Sequence, residues 1–186
     1  MTFSWTPHRF AGGALALDVA NSVVLRFDPA RRIDRYADPA GLDGFADAAT
    51  RFSAENVLFG PLEPVLPENR AAFLHLREAT DRHFRAEVLG NSSSQWLADL
   101  LDAASSIIRR HPLKSMPTAL DAAAARSALT LATSVDPERL KICPNCQWLF
   151  LDRSRNRSRT WCDMTVCGNR MKASRHYHRQ KRELSA

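Results

Sequence analysis

All four cysteines of the chain lie between residues 143 and 167, in two pairs. Cys143 and Cys146 form a C-x2-C pair, and Cys162 and Cys167 form a C-x4-C pair after 15 intervening residues. C-x2-C spacing lets two thiolates reach one tetrahedral ion through a tight turn, which the intervening Pro-Asn dipeptide suits. The pattern therefore predicts one zinc ion bound by all four cysteines.

The predicted zinc is structural, because four thiolates close its coordination shell and leave no position for an activated water. His176 and His178 are possible spare ligands, but with four cysteines available we expect both on the surface. Two disulfides in a secreted protein, a redox pair and ordinary buried thiols are the alternatives for the cysteines. A reducing compartment and a metal fit the clustered thiols better.

The net charge of +6 is concentrated at the cysteine end of the chain. Residues 143–186 carry 10 Lys and Arg against 3 Asp and Glu, whereas residues 1–142 carry 16 against 17. A nearly neutral body with a basic appendage is typical of a protein that binds a polyanion, although a solvated charged surface has the same composition.

The basic residues fall into a loop and a helix. The turn-like run "RSRNRSR" carries four arginines, and the segment after Cys167 lacks Pro and Gly, which predicts a helix. Lys172, Arg175, Arg179 and Arg182 share one face of that helix because they are three or four residues apart. Such a face can follow phosphates or read a base edge in the major groove. The candidate nucleic-acid contacts are Arg155, Arg157, Arg159, Arg170, Lys172, Arg175, Arg179 and Arg182, with Arg153 a further loop candidate.

Each of these arginines also has a structural alternative. Asp152 is expected to pair with one of the loop arginines, and Arg170, close to the last cysteine, is a candidate brace for the metal site.

The chain before the cysteines predicts a mainly helical domain at residues 1–137. The segment "HRFAGGALALDVANSVVLR" fits either a short strand or a buried helix. Four clearer helices are predicted. The first begins at Asp38 and Pro39, and the second runs from Pro67 to a cap at Gly90. The third is capped by Ser92 or Ser93 and stops before Pro112, and the fourth runs from about Pro117 to Thr133.

Residues 138–186 form the second predicted domain, a small treble-clef or ribbon-like zinc finger. The apolar "WLFLD" and the turn-like "RSRNRSR" predict a short β-hairpin from roughly Lys141 to Trp161, followed by the basic helix. A unit of this size depends on its metal, which contributes on the order of 10 to 16 kcal/mol in comparable peptides. We therefore expect chelation to unfold the finger and to leave the helical body folded.

The string "LFLDRSRNRSRTWCDMTVCGNRMKASRH" resembles the CGNR zinc finger of bacterial proteins. The matching residues are Leu149-Phe150, Asp152, Ser154-Arg155-Asn156, Trp161-Cys162 and Cys167-Gly168-Asn169-Arg170. Thr160 and Asp163 depart from the pattern, since a basic residue and a serine are common there, and both departures lower the positive charge near the finger.

The N-terminal "FAGGALALDVANS" is similar to the start of the companion ABATE domain. The similarity depends on Gly12, Gly13, Leu15, Leu17, Asp18 and Asn21, and on "LREATDRHFRAE" with Arg77. The two resemblances imply a mostly helical N-terminal domain and a DNA-binding zinc finger in a stress-induced transcription regulator.

The leading interpretation is therefore a cytoplasmic transcription regulator that binds DNA through the finger, while the helical domain senses a signal or pairs with a partner. An RNA-binding or protein-interaction module is the alternative, and the oligomeric state stays open. A third possibility is an enzyme that binds a small ligand in a pocket at Asp18, Asn21 and Arg77, although a buried aspartate more often caps local backbone. The sequence has no catalytic spacing and no long apolar run, so neither an enzyme nor a membrane protein is expected.

Overall fold

The computed structural model describes residues 3–111, 118–134 and 136–183, without the side chains of Ser134, Arg182 and Glu183. The helices of this part of the chain are α1 Leu15–Ala20, α2 Pro39–Phe52, α3 Asn56–Phe59, α4 Arg70–Val88, α5 Ser94–Ile108, α6 Leu120–Ser134 and α7 Asn169–Glu183. The strands are β1 Val23–Val24, β2 Ile33–Asp34, β3 Leu62–Glu63, β4 Thr118–Ala119, β5 Leu140–Ile142 and β6 Leu149–Leu151. The predicted mainly helical fold is confirmed.

The capping residues explain where the predicted helices begin and end. The Asp38 carboxylate accepts a hydrogen bond from the Ala40 amide at the start of α2, and the Ser93 hydroxyl accepts one from the Gln95 amide at the start of α5. Gly90 follows α4 with a φ of 71°, a left-handed conformation that favours glycine. Pro112 and Pro117, the predicted limits of two helices, lie outside the described residues.

Helix α1 shows that the first part of the ambiguous N-terminal segment is a buried helix, and the two-residue strand β1 follows it. All six of its residues are buried, and it packs against α4 and α6. The Leu15 amide donates to Glu55 Oε2 (2.8 Å) and the Ala16 amide to Ser127 Oγ (3.0 Å), so polar side chains satisfy the first turn inside the core. Alanines 123, 124 and 125 of α6 are fully buried, so the helix has small side chains on more than one side at this point.

The β-hairpin of the finger is shorter than predicted. Strands β5 and β6 pair antiparallel with Leu140 opposite Leu151, and the metal-binding knuckle Cys143–Trp148 connects them. The knuckle closes on itself, because the Gln147 amide donates to the Cys143 carbonyl and the Cys143 amide to the Trp148 carbonyl, both at 2.9 Å. The prediction that "RSRNRSR" turns a hairpin reaching Trp161 is therefore wrong, since this run follows β6 as a connector.

Strand β6 is buried on both of its faces. Leu149 and Leu151 belong to the main hydrophobic core with the helices, whereas Phe150 packs with the cysteines. The Leu151 amide donates to the Gly12 carbonyl (2.8 Å), and the Asn21 side chain both donates to and accepts from the Leu149 backbone (2.8 and 3.0 Å). The domain boundary at residue 137 stays a prediction, but this packing does not support a body that is independent of the finger.

The glycine pair before α1 allows this close approach. A Cβ on Gly12 would lie 2.7 Å from Asp18 Oδ1, so a side chain there would displace the carboxyl. Gly13 has a φ of 78°, and its Cβ position lies 3.1 Å from the Leu151 carbonyl oxygen. Gly13 therefore allows the close approach to β6, and Gly12 leaves room for the Asp18 carboxyl.

Burial raises the pKa of Asp18 well above its ordinary range, although the Gly12 amide donates to Oδ1 (2.8 Å). The folded state retains a proton that the unfolded chain releases above about pH 4, so stability falls as the pH rises toward the folded pKa. We expect Asp18→Asn to flatten the pH dependence of the unfolding free energy between about pH 4 and 8, measured by urea denaturation.

At pH 8 the Asp18→Asn variant should be at least as stable as the parent protein. Asp47→Asn, at an exposed carboxylate on α2 that pairs with Arg51, serves as the control for loss of one negative charge. A loss of more than about 2 kcal/mol at pH 8 in Asp18→Asn would show instead that an ionised carboxylate stabilises the core.

Candidate metal centre

The four cysteine sulfurs form one compact cluster in which every pair of Sγ atoms lies within 4.8 Å. The Sγ of Cys162 is 3.5 Å from that of Cys146 and 3.7 Å from that of Cys167. A tetrahedral zinc with Zn–S bonds of about 2.3 Å requires sulfur separations of about 3.8 Å. Disulfide sulfurs would be only about 2.0 Å apart, and all four thiols are free. The cluster is therefore a site for one structural zinc ion, as predicted.

The ionisation of the thiols shows why the cluster suits a divalent cation. Hydrogen bonds from the Cys146 and Cys162 thiols lower the pKa of Cys143 far below its ordinary value. The same interactions with Cys143 raise the pKa of Cys146 and Cys162, and burial adds to both increases. An ionised Cys143 therefore keeps Cys146 and Cys162 protonated, and a bound cation is the group that would let all four serve as thiolates.

The second cysteine pair is positioned by a π-helical turn, Met164–Gly168, between Cys162 and the start of α7. The Asp163 carboxylate caps this turn by accepting from the Thr165 amide (2.8 Å). The Cys167 amide donates to the Asp163 carbonyl (2.9 Å), and Asn145 Nδ2 donates to Cys167 Sγ (3.3 Å). A hydrogen bond to the Cys167 sulfur thus joins the knuckle to the turn.

Sequence reasoning missed the role of Asp163, His8 and Trp148 around the site. His8 Nδ1 lies 2.8 Å from Asp163 Oδ2, and the His8 ring stacks on Trp148 at 5.4 Å between centroids. Burial would raise the pKa of Asp163, but hydrogen bonds from Thr165 and His8 lower it overall. The Asp-x-Thr spacing was an available signal for the cap, whereas the distant His8 left no signal in the sequence.

Asp152 organises the connector between β6 and Cys162. Its buried carboxylate accepts from Lys141 Nζ (2.7 Å) and from the amides of Ser154 and Arg159 (2.9 Å each). Burial would raise the pKa of Asp152, but these donors hold it well below its ordinary range. The Asp152 carboxylate pairs with the ammonium group of Lys141 on the adjacent strand. The prediction that it pairs with a loop arginine side chain is therefore wrong.

Three of the four loop arginines bind groups of the protein. Arg153 donates to the Gly13 carbonyl (2.8 Å), and Arg157 pairs with Asp136 (2.8 Å) and with Glu138. Arg159 donates to the carbonyls of Trp161 (3.1 Å) and Cys162. Arg155 is exposed and has no hydrogen bond or ion pair with any residue that the structure describes. The loop is therefore held mainly by its own arginines.

The basic helix α7 begins two residues after Cys167, as predicted, and its described side chains from Lys172 to Lys181 are all exposed. Lys172, Arg175 and Arg179 line one concave surface together with His176, which places them on one face. Arg170 is also exposed, and no hydrogen bond joins it to the described part of the knuckle. Arg182 lies on α7, but its side chain is outside the described residues.

The three residues of the predicted ligand pocket make separate contacts. The Asp18 carboxyl binds the Gly12 amide, and the Asn21 amide binds the β6 backbone. Arg77 donates from Nη1 and Nη2 to the Asp34 carboxylate (2.7 and 2.8 Å). These contacts agree with the structural alternative for Asp18, and a ligand pocket at the three residues stays a prediction.

The fold and the site together define a helical protein with a structural four-cysteine zinc finger. Residues 139–180 match the family model of the CGNR zinc finger, so this part of the chain is a CGNR zinc finger. CGNR zinc fingers are not a known enzyme family. No curated protein matches the chain. The match does not extend to the helical body, where the ABATE resemblance stays a prediction.

Purified full-length protein should contain one zinc ion per chain by elemental analysis. We expect Cys167→Ser to lose that zinc, because a hydroxyl replaces one of four required thiolates. The double variant His176→Ala/His178→Ala is the control and should keep one zinc, since both imidazoles are exposed on α7. Stoichiometric zinc in Cys167→Ser, or its loss in the histidine variant, would contradict the assigned ligand set.

Proposed function

We propose that this protein is a DNA-binding transcription regulator. The zinc finger and helix α7 bind DNA, and the helical body acts as a sensor or interaction module in the cytoplasm, without enzymatic activity. The observation that carries the proposal is the exposed basic surface of α7.

Helix α7 has the charge and the shape for a DNA groove. Its sequence holds six Lys and Arg against one acidic residue, Glu183, at its last position. Fifteen helical residues span about 22 Å, and the major groove, about 12 Å wide, admits an α-helix. Among the described helices and short turns, α7 packs chiefly on Met164–Gly168, so most of its surface faces solvent.

The zinc finger gives this helix a fixed starting point. Cys167, a zinc ligand, lies in the turn that leads directly into α7, and Asp163 caps that turn. Metal binding therefore fixes the direction in which α7 leaves the protein. Zinc fingers in general contact nucleic acids or proteins, and the basic face favours the nucleic acid.

The loop contributes unequally to the proposed interface. Arg155 is exposed and has no partner among the described side chains, so it can contact a phosphate without losing an existing bond. Arg157 and Arg159 already bind protein groups, and a contact with DNA would have to replace or share those bonds. We therefore assign the main contacts to Arg155, Arg170, Lys172, Arg175, Arg179 and Arg182.

The salt dependence of DNA binding tests this assignment. Affinity for a mixed-sequence duplex should fall with rising salt, with a log-log slope of about −0.9 for each phosphate neutralised. Replacing Arg175 and Arg179 by alanine should reduce the magnitude of that slope by about two if both contact phosphate. Fluorescence anisotropy on zinc-loaded protein measures the slope.

Arg31→Ala/Arg51→Ala is the matched control, because it removes two exposed arginines of the helical body (72% and 58% exposed side chains) and the same net charge. Its slope should equal that of the parent protein. Equal losses in both double variants would indicate a nonspecific charge effect. Tighter binding to a single-stranded or duplex RNA of the same sequence would favour the RNA-binding alternative.

A further inference from the structure

A cavity of about 680 Å³ lies where the end of α4 meets the zinc finger. The body contributes Phe27, Val88 and Leu89 to its wall, and the finger contributes Ile142 and Pro144. This volume is within the range of small-molecule sites, about 300 to 1,000 Å³. Phe27 and Leu89 are each 62% exposed, so an apolar occupant would remove both from water.

The polar lining of the cavity is cationic. Arg85, Lys141 and Arg159 contribute to its wall, and no acidic side chain of the described residues does. An adjoining depression that shares Phe27, Arg85 and Leu89 adds three more arginines against two carboxylates, Glu78 and Asp81. Asp152 pairs with Lys141 and Asp99 pairs with Arg82, so the combined surface keeps a positive excess of two beside its apolar wall.

The cationic groups are held in place before any ligand arrives. Arg85 donates to both Asp81 oxygens (3.1 and 2.7 Å) and to the Gln147 carbonyl of the knuckle (3.0 Å), and its guanidinium lies 4.7 Å from the Phe27 ring centroid. Arg159 uses Nε and Nη2 for backbone carbonyls, which leaves Nη1 without a partner in the described part of the chain. A rigid charged wall with a remaining donor is suited to an anion.

We propose that this cavity binds a small amphipathic anion, an apolar aliphatic or aromatic body that carries one carboxylate. The apolar part lies against Leu89, Ile142 and Pro144, and the carboxylate faces Arg159 and Arg85. Because the wall comes from both α4 and the knuckle, the occupant contacts the helical body and the zinc finger at once. The site does not depend on DNA binding, so a failure of the regulator proposal would not contradict the ligand proposal.

Decanoate is the test ligand, 1-decanol is its uncharged match, and 8-anilinonaphthalene-1-sulfonate is the fluorescent reporter. With full-length, zinc-loaded protein and no DNA, the reporter should bind with a stoichiometry of one. Decanoate should displace it, and decanol should do so about tenfold less effectively because it lacks the charge. Amide shifts in NMR spectra of the parent protein should be largest at Leu89, Ile142 and Gln147 on addition of decanoate.

Leu89→Glu should weaken decanoate binding about tenfold or more, because it places a negative charge at the apolar wall. Leu58→Glu is the matched control: Leu58 is also an exposed leucine (68%), lies on α3 outside this cavity, and should bind decanoate like the parent protein. The zinc content of both variants verifies that the finger is intact. Equal affinity in Leu89→Glu and the parent, amide shifts confined to other surfaces, or no displacement by millimolar decanoate would each overturn the proposal.

Discussion

The burial of strand β6 on both faces is the constraint on which the rest of the structure depends. Side chains of a strand alternate between its two faces, so Leu149 and Leu151 enter the helical core while Phe150 enters the cysteine cluster. A strand shared in this way cannot leave either core without exposing large apolar side chains. The zinc finger is therefore built into the protein and is not a flexible appendage.

Polar contacts make the shared strand specific as well as buried. Asn21 on the body satisfies both backbone groups of Leu149, and the Gly12 carbonyl accepts from the Leu151 amide. Within the finger, Asp152 and Lys141 hold the connector that leads to Cys162. These bonds fix the orientation of the metal site on the body, and the turn containing Cys167 carries that orientation into α7.

The local features of the fold were predictable from the sequence. Cysteine spacing identified the ligands, helical periodicity with Asp38, Ser93 and Gly90 identified helices, and the absence of Pro and Gly identified α7. These signals succeed because they act within a few residues of one another. The C-x2-C pair itself turns the hairpin, whereas the polar run that follows β6 has the composition of a turn but forms a connector.

Contacts between distant segments were not predictable in the same way. Three such contacts join residues far apart in sequence: His8 with Asp163, Asn21 with Leu149, and Arg85 with Gln147. From the sequence alone, each of these side chains could equally be an ordinary surface or capping residue. The segment that begins at Pro137 predicted a boundary between body and finger, but a local sequence signal of this kind does not show whether the two parts share a hydrophobic core. The packing of β6 therefore does not support the expectation of an independent body, which stays a prediction.

Hydrogen exchange of the backbone amides, with and without zinc, tests most directly whether body and finger share one core. The account predicts that chelation lowers protection by about tenfold or more at Leu151 in β6 and also at Asp18 and Asn21 in and after α1, whose amides bond within the helical body. The Leu42 amide of α2, farther along the body, provides the internal reference. Unchanged protection at Asp18 and Asn21, with exchange confined to the finger and α7, would contradict the account.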